Sequence, residues 1–289
     1  MFCAVPVIGM LCRLIIPLHE EAWRYIFYMG GVGYIALIIA WRYLDESPRW
    51  LVARGRIAEA EAVMKDLTGR DVDLAEAASK CLTTKPPLKE VLLGMCSSKY
   101  LKRTIVIFLL VVCTNPATFV VTNWTATLLK AHGFPLEDTL MATTLISIGV
   151  PLGLFASSAF TDMGGRKIPI VIMLLVMAVL APIFGNVSQY WVLVLIGAVL
   201  TAFVMGVSFT IFSYTAESYP THLRNTATGF HSSVGRLAVA FSQPLIPVVY
   251  AAYSFDGVFY IFSLLCVIPA IIVAVWGART GGKSLEDIA

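Results

Sequence analysis

The chain has 289 residues, of which 58% are hydrophobic and only 13% are charged, and its mean hydropathy is +0.81. A water-soluble domain carries about 25% charged residues, so this composition excludes a soluble globular protein. The formal net charge of +3 gives no reason to expect a nucleic-acid partner. Hydrophobic runs of roughly twenty residues recur along the chain, each long enough to cross a lipid bilayer as a helix. The sequence therefore predicts an all-α polytopic membrane protein.

The hydrophobic runs predict about eight transmembrane helices. They are continuous and do not alternate between polar and apolar residues, which favours helices over a closed barrel. In chain order the spans are expected near residues 1–18, 23–43, 102–129, 138–160, 168–187, 190–214, 226–252 and 256–278. The first run has no basic start and no small-residue cleavage site, so we expect a span there and not a signal peptide.

The basic residues predict the orientation of the spans. Of the 21 Lys and Arg residues, all but Arg13, Arg24 and Lys130 fall in or beside alternate connections. Those connections are residues 44–101, 161–167, 215–236 and the tail after Trp276. Because positive residues are retained in the cytoplasm, we expect a multi-pass protein of the plasma or inner membrane with both termini in the cytoplasm.

The polar segment 45–101 is expected to be a helical linker. Residues 56–69, RIAEAEAVMKDLTG, combine good helix formers with opposite charges at helical spacing and end in glycine, so they predict a short helix. Pro48 cannot continue a helix interior and therefore marks the end of the preceding span. Two prolines after residue 84 end the first element, and a second amphipathic stretch follows them.

Nothing in the sequence predicts catalysis or a bound cofactor. The six cysteines have no metal-binding spacing, and no span contains a nucleophile grouped with a base. His132 and His231 are lone histidines near connections, and neither is expected to be a ligand. We therefore expect a protein that is not an enzyme, without a metal or a cofactor.

Three motifs lie in order on the predicted cytoplasmic side. DESPRWLVARGRIAEAEAVM begins at Asp45, DMGGRK begins at Asp162, and AESYPTHLRNTATG, followed by SSVGR, begins at Ala216. Together they resemble the signatures that sugar- and organic-ion-type transporters of the major facilitator superfamily carry after their sixth helix, between helices eight and nine, and after helix ten. The resemblance covers essentially the whole chain.

The resemblance implies a domain organisation. Residues 1–44 would be the last two helices of an N-terminal bundle, 45–101 a cytoplasmic linker, 102–279 a complete C-terminal six-helix bundle and 280–289 a cytoplasmic tail. The chain would then begin at the family's fifth helix and lack the first four. The run LLVVCTNPATFVVTNWTATLLK, residues 109–130, would be the seventh helix, and it departs from the Q-Q-x-x-G-x-N pattern of hexose carriers.

The function implied by the resemblance is secondary transport. Such carriers move a small organic solute, here an organic anion or another metabolite, by rocking two bundles against each other, in some cases with a proton or another coupling ion. The alternative is a truncated membrane protein that does not transport, or a half-transporter that needs a partner chain. No span carries an Asp or Glu at its middle, so either transport is uncoupled or the coupling acid belongs to the four helices that the chain would lack.

Charged residues at the predicted cytoplasmic helix ends form a candidate gate. Its members are Glu46, Arg49, Asp162, Arg166, Lys167, Glu217 and Arg224. Because Arg166 and Glu217 lie at neighbouring helix ends, we expect an ion pair between them that holds the ends together in one state. The alternative is that these charges only anchor the loops on the cytoplasmic side.

Arg236 is a candidate for the wall of the substrate cavity. If the eleventh family helix begins near Thr226, Arg236 lies about 15 Å into it at 1.5 Å per residue. Ser232, Arg236 and Gln243 fall within about 60° of one another on a helix. A cation at this depth suits a carboxylate-bearing substrate, because intramembrane charges are expensive and usually face a cavity or a partner. Alternatively, Arg236 snorkels to the interface or caps backbone carbonyls.

The seventh family helix carries a second polar stripe. Asn115, Thr118, Thr122 and Thr125 span about 80° of a helix, and Asn123 and Trp124 are further candidates for lining the cavity. Small hydroxyl residues in membranes also pack helices together or bond to their own backbone, so that alternative stays open. The predicted substrate-cavity residues are Asn115, Thr122, Asn123, Trp124, Ser232, Arg236 and Gln243.

Overall fold

The computed structural model of the chain describes residues 4–18, 21–43, 45–53, 55–69, 74, 93–161 and 165–278. Every regular element in these ranges is helical, which confirms the predicted all-α fold. The chain forms two compact units, one of Met1–Ala22 with Leu88–Ala289 and the other of Trp23–Pro87. The predicted domains, residues 1–44, 45–101, 102–279 and 280–289, describe how the chain crosses the membrane, and they stay a prediction.

Thirteen α-helices are numbered here in chain order within the described residues. They are α1 (Ala4–Ile15), α2 (Trp23–Gly30), α3 (Val32–Tyr43), α4 (Pro48–Ala53), α5 (Ile57–Thr68), α6 (Leu101–Phe119), α7 (Thr125–Ala131), α8 (Leu136–Ile146), α9 (Gly149–Thr161), α10 (Lys167–Asn186), α11 (Tyr190–Glu217), α12 (Thr221–Ser242) and α13 (Leu245–Trp276). A 3₁₀ turn (Ile16–Leu18) follows α1, and a π-helical segment (Val120–Trp124) joins α6 to α7.

Six helical stretches among the described residues are long and apolar enough to cross a bilayer. They are Trp23–Tyr43, Leu101–Ala131, Leu136–Ser158, Lys167–Asn186, Tyr190–Glu217 and Leu245–Trp276. The apolar helix Pro6–Ile15 is shorter, and α12 is long but rich in polar residues. Because only a helix satisfies its own backbone in lipid, this pattern is that of a multi-pass membrane protein.

The described part of the linker contains the predicted short helix. α5 ends at Gly69, which adopts the left-handed conformation at φ 67° and donates its N–H to the Lys65 carbonyl oxygen at 2.8 Å. Pro48 is the first residue of α4, a position where its missing N–H costs nothing. The span before it ends at Tyr43, as the proline predicts. The second amphipathic stretch lies outside the described residues.

The structure corrects the boundaries of the last two predicted spans. The predicted span 226–252 crosses Pro244, whereas the structure separates α12 from α13 there. Pro244 has no N–H to donate to the preceding turn, so the helix is interrupted. A second interruption lies inside α13 at Ser254, whose φ of 60° and ψ of −166° are not helical. It coincides with the predicted gap before the span 256–278.

The larger unit is held together by aromatic packing and by close helix approaches. Phe184 of α10 packs on Phe255 and Phe259 of α13, with ring centroids 6.0 and 4.8 Å away, and all three side chains are buried. α9 packs on α11 through glycine, because a Cβ atom at Gly153 would overlap the carbonyl oxygen of Ala202. These contacts fix the positions of α10 and α11, whose ends carry the candidate gate.

Candidate functional site

Polar residues of three helices meet in a cavity of about 340 Å³, which we call the Arg236 cavity. Helices α6, α11 and α12 line it with Val111, Asn115, Ser208, Ile211, Phe212, Thr215, Thr228, His231, Ser232 and Arg236. Three of the predicted substrate-cavity residues, Asn115, Ser232 and Arg236, are therefore brought together. That they bind a substrate stays a prediction.

Gly235 allows α6 and α12 to meet at this cavity. A Cβ atom at Gly235 would lie 2.8 Å from Asn115 Nδ2 and 2.8 Å from Val111 Cγ1, and both distances are shorter than van der Waals contact. Glycine therefore lets the two helices approach closely, as small residues do in membrane bundles. Asn115, whose Nδ2 donates to the Val111 carbonyl oxygen at 3.0 Å, is held beside the turn of α12 that carries Arg236.

Arg236 gives the cavity a positive charge. Its side chain is exposed, and it makes no hydrogen bond or ion pair with the described residues. No Asp or Glu is among the described residues that line the cavity. A cation on a cavity wall without a counter-ion would stabilise an anion that enters the cavity.

The hydroxyl groups of the cavity are mostly bonded to their own helices. Ser208 and Thr215 donate to the carbonyl oxygens of Val204 and Ile211, each at 2.8 Å, and Thr228 donates to that of Arg224 at 2.9 Å. Each hydroxyl has a single hydrogen, so these three can accept hydrogen bonds from a ligand but not donate them. Donation to an anion is left to Arg236 and the neighbouring polar side chains.

His231 also lines the Arg236 cavity, although it is not among the predicted cavity residues. Its side chain is 2% exposed, and its Nε2 lies 3.1 Å from the Tyr219 hydroxyl. Its Nδ1 is buried without a hydrogen-bond partner among the described residues. The signal available in the sequence is helical spacing, because His231 lies one turn before Gly235, where α12 meets α6.

A second cavity, of about 350 Å³, lies at the π-helical segment, and we call it the threonine cavity. Among its lining residues are the predicted Thr122 and Asn123, together with Thr125, Thr143, Ser147 and Thr201. Asn123 Nδ2 donates to Thr122 Oγ1 at 2.7 Å, and Thr201 Oγ1 is buried without a partner among the described residues. Single-turn π segments often occur at functional sites. The polar stripe predicted on the seventh family helix is therefore shared between two cavities.

Trp124 and Gln243 pair with each other. Trp124 Nε1 donates to Gln243 Oε1 at 2.8 Å, and neither residue is among those that line the Arg236 cavity. The predicted stripe of Ser232, Arg236 and Gln243 is thus divided. Gln243 keeps helical φ and ψ at the end of α12 and lies about 10 Å beyond Arg236 along the helix, where it reaches Trp124.

The predicted contact between Arg166 and Glu217 is present. Arg166 Nε lies 2.9 Å from Glu217 Oε1, and the two side chains are 21% and 27% exposed. Arg166 precedes α10 and Glu217 is the last residue of α11, so the pair joins two helix ends. The contact is confirmed, whereas its role as a gate stays a prediction.

The other predicted gate residues are less defined. Lys167 is half-buried at the start of α10, and Arg224 of α12 has its Nε and Nη2 buried without partners among the described residues. Glu46 is exposed and belongs to the Trp23–Pro87 unit. Asp162 and the side chain of Arg49 lie outside the described residues.

A bundle of apolar helices with polar cavities inside it is the architecture of membrane transport proteins. The chain belongs to the sugar (and other) transporter family, which matches residues 7–289. This places it in the major facilitator superfamily, as the three motifs predict. The family sets the fold and the class of protein, and it leaves the substrate open.

Two relatives and one solved structure illustrate the similarity. The inner membrane metabolite transport protein YdjE of Escherichia coli (strain K12) is 28% identical over 278 residues, which cover 92% of this chain and 61% of the relative. The niacin transporter NiaP of Acinetobacter baylyi is 23% identical and covers 98% of this chain and 64% of the relative. The partially occluded, inward-open xylose transporter XylE of E. coli has a TM-score of 0.72 at 17% identity, covering 98% of this chain and 63% of that one.

The chain spans less than two thirds of the length of these proteins. The similarity to XylE therefore shows the shared fold of the part that is covered. The activity, substrates and partners of the whole relatives do not pass directly to this chain.

Proposed function

We propose that the chain works in a secondary carrier that moves a small organic anion across the membrane by alternating access. The observation that carries this proposal is the Arg236 guanidinium, which lies on a cavity wall without a counter-ion among the described residues. A carboxylate would accept charge-assisted hydrogen bonds from Arg236 and a further one from Asn115. Membership of a transporter family and the similarity to a niacin transporter support this class of solute, because niacin is a carboxylic acid.

The proposed orientation places the Arg166–Glu217 end of the bundle in the cytoplasm. It rests on the basic residues of the alternate connections and puts both chain termini on the cytoplasmic side of the cell membrane. In this orientation the Arg166–Glu217 pair closes the cytoplasmic side of the bundle in one state and breaks in the other. Glu46, Arg49, Asp162, Lys167 and Arg224 are proposed to belong to the same charged layer.

Transport also requires a second group of helices against which this bundle can rock. Such helices come either from a longer form of the polypeptide or from a partner chain. The alternative is a membrane protein that inserts and folds but does not transport. The intact mass of the natively expressed protein separates a longer polypeptide from the other two cases, and transport assays use the protein at that native length.

The test is uptake of radiolabelled nicotinate, benzoate and hexanoate by proteoliposomes that contain the native protein. We expect at least one of these carboxylates to be taken up, and Arg236→Ala to lower its uptake by about tenfold or more, because a charge-assisted hydrogen bond is worth about 1.5–3 kcal/mol. Arg236→Lys retains the charge and should keep part of the activity. Lys130→Ala removes an exposed cation at the end of α7 and should change nothing.

Two results would contradict the proposal. Unchanged uptake by the Arg236→Ala variant would show that Arg236 does not bind the anion. Absence of uptake of every carboxylate tested, by protein that is correctly inserted and monodisperse, would favour another solute or the non-transporting alternative.

A further inference from the structure

One arrangement of the hydrogen bonds around His231 leaves its Nδ1 as a bare acceptor. Thr104 Oγ1 lies 3.0 Å from the Met95 carbonyl oxygen and 3.1 Å from that of Tyr100, and both oxygens can only accept. When the single Thr104 hydroxyl hydrogen points to one of these carbonyls, Tyr219 donates its own hydrogen to Thr104 Oγ1 at 2.8 Å. The Tyr219 oxygen then accepts from His231 Nε2 at 3.1 Å. In this arrangement the ring hydrogen of His231 is on Nε2.

The bare nitrogen is buried. His231 is 2% exposed, and its Nδ1 has no hydrogen-bond partner among the described residues. A buried polar atom without a partner is costly, so it needs an explanation beyond packing. Burial raises the pKa of Tyr219 to about 12, which keeps the phenol protonated and the hydrogen-bond chain intact at neutral pH. Nδ1 is therefore the unpaired end of the hydrogen-bond chain formed by Thr104, Tyr219 and His231, and it can accept a proton.

The surroundings of Nδ1 oppose a proton on it. The titratable and charged groups on the elements packed around it include Cys96 near Met95, Lys102 and Arg103 on α6, Tyr214 and Glu217 on α11, and Arg224 and Arg236 on α12. Glu217 is the carboxylate among these groups, and it is paired with Arg166 at the end of α11. A proton on Nδ1 would place a charge in a buried site and add to the positive charge of Arg236, so the empty cavity favours the neutral imidazole.

We propose that His231 is the proton site of the carrier, and that His231 and Arg236 bind one proton and one carboxylate together; this rests on the proposed function. A carboxylate in the cavity supplies the negative counter-charge that stabilises a proton on Nδ1. The bound anion therefore favours the proton and, by the same coupling free energy, the proton favours the anion. No covalent bond other than N–H changes: Nδ1 takes a proton from water on one side of the membrane and returns it on the other.

This assignment supplies a group that the predicted spans otherwise lack. A proton-coupled carrier generally needs an ionisable residue inside the membrane, and no predicted span of this chain has an Asp or Glu at its middle. His231 lies in the same cavity as the cation that would hold the anion. The two ligands are then coupled directly through one small cavity.

The first test counts protons. The purified native protein is mixed with nicotinate in weak buffer near neutral pH, and proton uptake is read with an indicator dye while binding is measured by calorimetry. We expect about one proton taken up per nicotinate bound, since the coupling is one to one. Nicotinamide, the uncharged amide of the same ring, should cause no uptake. Nicotinate that binds without proton uptake would overturn the assignment without any variant.

The second test locates the proton on His231. The amide N–H of His231→Gln can replace the Nε2 donor to Tyr219, but the amide takes no proton. In the wild-type protein the affinity for nicotinate should rise about tenfold for each pH unit of acidification between about pH 8 and pH 6, where the carboxylate stays ionised. His231→Gln should be flat within about twofold over the same range. His132→Gln, which changes an exposed histidine at the end of α7, is the matched control and should keep the wild-type slope.

The outcomes separate the two proposals. If nicotinate, benzoate and hexanoate all fail to bind the wild-type protein, the anion carrier of the proposed function is wrong and the proton site is wrong with it. If the wild-type protein binds nicotinate and His231→Gln keeps the wild-type slope, only the proton site is wrong. Should His231→Gln fail to fold, nicotinate binding by the wild-type protein without proton uptake would still overturn the assignment.

Discussion

Ser254 holds a backbone conformation that glycine adopts far more readily than any other residue. Its φ of 60° and ψ of −166° interrupt α13, and it is the one non-glycine residue with positive φ in the described ranges. A residue with a Cβ atom pays about 1–3 kcal/mol for such a conformation. The following Phe255 is 1% exposed and packs in the aromatic core, so the conformation is maintained by its surroundings.

We therefore expect Ser254→Gly to stabilise the protein by about 1 kcal/mol, after the higher unfolded-state entropy of glycine is subtracted. The measurement is thermal unfolding followed with a thiol-reactive fluorophore, because Cys266 is buried and becomes reactive on unfolding. Ser233→Gly is the matched control, since Ser233 lies in the helical part of α12 and glycine is unfavourable there. A midpoint that falls in both variants would show that Ser254 is not strained.

The residues of the Arg236 cavity were only partly predictable. Arg236 stands out in the sequence because a charge inside an apolar run is rare, and Ser232 follows from it by helical spacing. Gln243 fits the same spacing, but it lies about 10 Å further along α12 and pairs with Trp124 instead. His231 is marked in the sequence by its helical spacing to Gly235 alone, and its hydrogen bonds depend on Thr104 and Tyr219, which lie far from each other in sequence.

At the scale of helices, α9 and α11 form a close interface through small residues. Gly149 and Gly153 are four residues apart on α9, and Cβ atoms there would overlap the carbonyl oxygens of Ala198 and Ala202, also four apart. Residues four apart lie on one face of a helix, so each helix offers the other a smooth strip. In lipid such strips drive association by allowing backbones to pack closely.

Gly153→Val should separate α9 from α11 and lower the free energy of unfolding by about 2 kcal/mol or more, because the added atoms have no space. The expected result is a lower thermal midpoint and less monodisperse protein after extraction in detergent. Gly229→Ala is the matched control. A Cβ at Gly229 meets no atom within 4 Å, and alanine favours the helix, so its midpoint should not fall. An unchanged midpoint in Gly153→Val would refute the close packing.

Element types follow from the sequence more readily than their interruptions do. Continuous apolar runs predict helices, and Gly69 and Pro48 mark the boundaries of α5 and α4 correctly. The π-helical segment at Val120–Trp124 is different, because a helix that widens by one residue per turn leaves no mark on an apolar run. Pro116 is the local hint, since it removes one backbone donor within α6. The widening itself depends on the helices packed around it.

At the scale of the whole molecule, α11 connects the candidate gate to the Arg236 cavity. Ser208 and Thr215 of α11 line the cavity, and Glu217 at its end forms the ion pair with Arg166. The distance along the helix from Ser208 to Glu217 is about 14 Å at 1.5 Å per residue. A helix moves as a stiff rod over such a distance, so breaking the pair and reshaping the cavity can be one motion. Only the packing of three helices makes this link, and no local sequence pattern carries it.

If the Arg166–Glu217 pair favours one of two conformations, weakening it should expose the helix ends. Half-buried Ser213, which lines a cavity of about 230 Å³ with Arg166, is a suitable position for a cysteine reporter. Exposed pairs contribute about 0–1 kcal/mol, so Glu217→Gln should raise the maleimide labelling rate of Ser213→Cys up to about fivefold, with the labelled peptide quantified by mass spectrometry. The charge-swapped pair, Arg166→Glu with Glu217→Arg, should restore the slow rate. Glu137→Gln removes an exposed carboxylate at the start of α8 and should leave the rate unchanged, whereas equal labelling in all variants would leave the pair as a loop anchor.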